Sequence, residues 1–105
     1  MTQKYQGDVS LIKIETIAGI EFKTLPKEGV IVAYGEVTGH THTIVKEKEA
    51  TVEFGQDTKG YYFKVSNGNA VIKHQEHAPI TLEPGIWFVG KQWEYNELED
   101  RRVAD

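Results

Sequence analysis

Four histidines carry most of the chemistry this sequence could perform, and they fall in two short clusters, Gly39-His40-Thr41-His42 and His74-Gln75-Glu76-His77. On a strand, His40 and His42 face the same side, about 7 Å apart along the backbone. Two imidazoles on one face of a small β-barrel can converge on one ion. In the second cluster His74 and Glu76 share a parity, and His77 has the opposite one. If the strand runs on past His74, the second pair is His74 with Glu76. If it breaks before Ala78-Pro79, as expected because proline cannot donate to a ladder, His77 swings inward. The candidate metal ligands are therefore His40, His42 and His77, then His74 and Glu76. Such a set suits a divalent metal (zinc, iron, manganese or nickel) and can leave a position open for water or substrate. Two blander readings stand beside it. The rings could form a hydrogen-bonded or proton-titrating cluster at a subunit contact, since histidine changes charge near neutral pH. They could also be unrelated surface residues.

Other reactive groups are sparse. The two serines, Ser10 and Ser66, lack a nucleophile setting. Gly35-Glu36-Val37-Thr38-Gly39 has no lysine and no following helix, so it is not a phosphate loop. Its glycines suit a bulge or bend that aims His40 and His42, and Glu36 is a minor candidate for base or ligand. Trp87, Phe88, Trp93 and Tyr95 read as core or subunit contact, with ligand stacking as the alternative.

The elements that must position these residues read as strands. Ten glycines punctuate runs rich in Val, Ile, Thr, Tyr and Phe. Candidate strands cover 9–15, 20–24, 29–34, 40–46, 50–54, 61–65, 70–74, 80–82 and 86–95. This pattern predicts an all-β fold, a small single-domain barrel or a jelly-roll-like sandwich. Asn67-Gly68 predicts a two-residue hairpin that pairs Val65 with Ala70, Phe63 with Ile72 and Tyr61 with His74. The side-chain period of two then gathers Tyr61, Phe63, Val65, Ala70, Ile72 and His74 on a core face, leaving Tyr62, Lys64 and Lys73 on a wetter one. Lys46-Glu47-Lys48-Glu49 reads as a solvated turn or a charge-protected edge. One β-domain spans 1–95, and 96–105 reads as a charged C-terminal tail or docking segment.

Composition bounds the rest. The chain has 105 residues, 39% apolar and 27% charged, which fits one folded domain with a thin core that a homo-oligomer would help. Cysteine is absent, so disulfides, thiolate nucleophiles and cysteine-held metals are excluded. A formal charge of −4 argues against nucleic acid as a partner. No apolar run reaches the roughly 18 residues of a membrane span. The polar start lacks a signal-peptide core, so a cytoplasmic protein is expected, or a virion component if the gene is a phage's.

Two stretches carry a likeness: Gly35-Glu36-Val37-Thr38-Gly39-His40-Thr41-His42 and Glu76-His77-Ala78-Pro79-Ile80-Thr81-Leu82-Glu83-Pro84-Gly85. With Gly7-Asp8 and the Arg101-Arg102-Val103-Ala104-Asp105 end, they resemble a group of short bacterial and phage proteins. That likeness implies no activity, but it admits phage structural partners and a virion or other structural role. A second likeness is to the cupins, metal-holding β-barrels. Gly35, His40, His42, Glu47 and Gly55 resemble the first cupin motif, with both end spacings off by one, and Leu82-Glu83-Pro84-Gly85 resembles the opening of the second. Beyond Gly85 the pattern departs, with Lys91, Trp93 and Asn96 in place of Pro, Gly and His. A cupin-like barrel would therefore draw its third ligand from His74 or His77.

Overall fold

The computed structural model describes residues 2–34 and 39–91. Among these residues there are ten strands: β1 (Gln3–Gln6), β2 (Val9–Ile14), β3 (Lys23–Thr24), β4 (Val30–Tyr34), β5 (Thr41–Lys46), β6 (Thr51–Gln56), β7 (Tyr61–Ser66), β8 (Ala70–Lys73), β9 (Ile80–Leu82) and β10 (Gly85–Lys91). They form two antiparallel sheets, one of six strands in the order β1-β2-β10-β7-β6-β3 and one of four in the order β4-β5-β8-β9. The fold is thus all-β, as the glycine-punctuated β-branched runs predict. Among the described residues no helix is long and apolar enough to cross a membrane.

The two sheets share one apolar interior. Val9 and Leu11, Phe63 and Val65, and Trp87 and Val89 come from the six-stranded sheet. Ile44, Ala70, Ile72 and Leu82 meet them from the four-stranded one. Alternate residues supply this layer, as a half-buried strand requires. Trp87 is fully buried and its indole N–H donates to Glu83 O at 2.9 Å, so the expected core role holds.

Two expectations need correction. Asn67-Gly68 does not close a hairpin, because it carries the chain from β7 in one sheet to β8 in the other. Val65 pairs with Val52 and Gly85, while Ala70 pairs with Lys46 and Leu82. Asn67 still takes the positive φ expected of it, 57°. A Cβ added at Gly68 would lie 2.9 Å from that of Ala50, so this corner also needs glycine for close packing. The core-face set misled because inner faces of opposing sheets carry the same apolar alternation as one face of a hairpin. Alternation reports which way a residue points, not which strand it pairs with.

The second correction concerns Tyr62, expected on a wet face but only 5% exposed. It packs with Ile12 and Phe88 on the outer face of the larger sheet, under Ile17, Ile20 and Phe22. Only Lys23–Thr24 of the predicted 20–24 strand pairs in a ladder. The rest of that segment covers the sheet, passing so close that a Cβ at Gly55 would meet Glu21 O at 2.7 Å. Of the expected charged turn at 46–49, Lys46 ends β5 and 47–49 lie between β5 and β6, all with exposed side chains. Glu36, Trp93, Tyr95 and the 96–105 tail lie outside the described residues.

Candidate imidazole site

The site is assembled from three segments. β1 ends at Gln6, and Gly7-Asp8 turns the chain into β2, with Gln6 opposite Val9. Gly7 sits at φ 61°, a region that glycine enters without the steric cost of a side chain. The second segment is the start of β5, where His42 lies opposite Ala33 on the inward face that Ile44 continues. The third is 74–79, which joins β8 to β9 where Ile72 pairs with Ile80. β8 stops at Lys73, so the strand breaks before Ala78-Pro79, but His77 does not swing fully inward: it stays exposed while its ring stacks on His42.

All four imidazoles meet there. His74 occupies the middle, with its ring centroid 4.3 Å from His42, 4.7 Å from His77 and 5.5 Å from His40. His77 also stacks on His42 at 6.0 Å. His42 is buried at 2% exposure, whereas His77 is an exposed residue and His40 and His74 lie between these extremes. Glu76 is at the rim, its Oε2 3.8 Å from His40 Nδ1 and its side chain 64% exposed. The 74–79 segment is pinned to β5 by Thr41 N–H donating to Gln75 Oε1 at 2.9 Å.

The surroundings set the electrostatics. Burial holds the His74 pKa below its ordinary 6.5, and the neighbouring His77 and His40 rings add to this. Glu76 and Asp8 partly offset the shift. Glu76 N–H donates to His74 Nδ1 at 3.0 Å, so that nitrogen is an acceptor and the neutral ring carries its hydrogen on Nε2.

Gln6 is the support that sequence reasoning missed. Its amide is 2% exposed and makes three hydrogen bonds, to Ile72 O, Ala78 O and His42 Nδ1. A glutamine beside a turn is usually a surface residue, so its type alone carries no signal. Gly7 was visible only within the Gly7-Asp8 likeness. A Cβ added there would come 2.9 Å from His77 Nε2 and 3.5 Å from His42 Cε1, so Gly7 forms a wall of the site.

The family model described as Domain of unknown function (DUF8820) matches residues 5–92, a span that holds all three site segments. The chain belongs to the DUF8820 family. No curated protein and no solved structure matches it.

Imidazoles bound to one tetrahedral ion at about 2.0–2.1 Å have centroids about 5 Å apart. The separations in this DUF8820 domain bracket that value. The nitrogens are not aimed to match: among the described residues, no three His, Asp or Glu side chains are arranged to hold a metal ion. Two contacts hold ring nitrogens away from a shared point: His74 Nδ1 accepts from the Glu76 backbone, and His77 Nε2 lies against Gly7.

Proposed function

We propose that this domain binds a divalent transition metal through its imidazole cluster, with His40, His42 and His77 as principal ligands and His74 and Glu76 as auxiliary ones. The observation that carries the reading is the meeting of four rings from segments more than thirty residues apart in sequence. Histidine donors without thiolate suit zinc, nickel, iron and manganese, whereas calcium and magnesium prefer all-oxygen cages. Binding requires rotation of His77 away from Gly7. Use of His74 through Nε2 requires its hydrogen to move to Nδ1 and the Glu76 N–H bond to be released. The exposure of 75–79 leaves room for both changes. An ion held there could polarise a bound oxygen ligand.

Elemental analysis of the purified protein, followed by zinc and nickel titration of the metal-free form, tests this. The expected result is equimolar uptake that His42→Ala and His40→Ala both weaken. Protein that takes up none of zinc, nickel, iron or manganese would overturn it.

A second reading is favoured by the central position of His74 among three other rings. In it the cluster is a proton-responsive contact in a structural or interaction protein, such as a homo-oligomer or a phage virion subunit. Sedimentation of metal-free protein between about pH 5 and 7 separates the two, because metal-independent assembly that changes over this range favours the second reading.

A further inference from the structure

A carboxamide can sit in two orientations, and its partners decide between them. Gln6 Nε2 lies 3.0 Å from Ile72 O and 2.9 Å from Ala78 O. Backbone carbonyls only accept, so both amide hydrogens are used there. Turning the amide over would press Oε1 against two carbonyl oxygens and leave a buried oxygen repelled on two sides. Oε1 therefore faces His42 Nδ1, 2.9 Å away. A carboxamide oxygen only accepts, so Nδ1 must carry the hydrogen.

From this chain of donors and acceptors we propose that Gln6 is a positioning residue that locks His42 in its Nδ1–H tautomer. Nε2 is then the basic nitrogen of that ring. Metal-ligating histidines generally carry this kind of support, with the second ring nitrogen donating to an oxygen that fixes tautomer and orientation. Gln6 also ties down the chain on either side of His74 and His77, since Ile72 precedes them in β8 and Ala78 follows them. One amide thus sets the nitrogen of one ring and the anchorage of two others. His74 is set the opposite way, with Nδ1 as acceptor. The two adjoining rings consequently have complementary tautomers in the neutral state.

The tautomer assignment stands on hydrogen bonding alone, whereas its consequence for affinity rests on the metal reading. The test is long-range proton–nitrogen NMR of the full chain, metal-free at neutral pH, with nitrogen-15 in its histidines. His42 is expected to show a protonated Nδ1 and an unprotonated Nε2. In Gln6→Met, which keeps the bulk and removes the acceptor, the tautomers should mix and nickel affinity should fall about 10–100-fold. A wild-type His42 with its hydrogen on Nε2 overturns the proposal, and so does a folded Gln6→Met that leaves the tautomer unchanged. If Gln6→Met does not fold, the wild-type spectrum still decides. The expected tautomer in a protein that takes up no nickel upholds the role of Gln6 and overturns only the metal reading.

Discussion

Lys4 and Gln6 are inward-facing positions of the same short strand, and both reach from the larger sheet to the smaller one. Lys4 Nζ bonds Thr81 O at 2.8 Å and Glu83 Oε1 at 3.0 Å, and Lys13 approaches Glu83 from β2 at 3.8 Å. These side chains remain 30–40% exposed and crown the buried Trp87, whose ring centre is 5.4 Å from Lys4 Nζ. Gln6 makes the equivalent crossing two residues later with neutral groups and almost no exposure. Solvent can replace most of what the Lys4 bridge supplies, so that bridge is worth little. Nothing replaces the partners of a buried amide, so the Gln6 crossing is costly to break.

The contrast is most strongly tested by Gln6→Ala. It strands two backbone carbonyls and a ring nitrogen, and the expected destabilisation is about 3 kcal/mol, measured as a shift in denaturant midpoint. Gly7→Ala should follow at about 1–2 kcal/mol, because it imposes a side chain at positive φ and thrusts a Cβ at His77.

Acid should bear on the two regions in different ranges. The His74 pKa is lowered on folding, so the unfolded chain binds more protons and metal-free protein loses stability as pH falls below about 6.5. His74→Gln should flatten that loss in urea titrations at pH 7 and pH 5. Glu83 is also held low, chiefly by its hydrogen bond from Lys4. Its contribution is present above its ordinary 4.5 and disappears as pH falls through the lowered value, so this loss begins only in more acid solution. The smallest effect expected is that of Lys4→Met, about 0–1 kcal/mol and shrinking further with added salt. A Lys4→Met loss as large as that of Gln6→Ala would remove the contrast altogether.

Much of this was legible in the residues. Two short histidine clusters with a proline behind the second were enough to anticipate rings meeting from distant strands. Their position at strand ends came within a residue, with His40 just before β5 and His74 just after β8. Strand pairing was less legible. Asn67-Gly68 has the chemistry of a hairpin turn, yet the same positive φ serves a corner between sheets, and only tertiary packing distinguishes the two. β1 went unseen because Gln3, Lys4, Tyr5 and Gln6 are largely polar and lack a β-branched run. The face of that strand that matters works through hydrogen bonds and charge, so hydropathy does not reveal it. Tyr62 was misplaced for the converse reason: its strand is covered on both faces, and the covering segment, 15–22, forms almost no ladder.

The most direct measurement of the central claim is a zinc titration of the metal-free chain followed at the histidine ring nitrogens. Saturable shifts of the His40, His42 and His77 nitrogens at one equivalent are the expected result. Ring nitrogens that stay unmoved through excess zinc at neutral pH would contradict it.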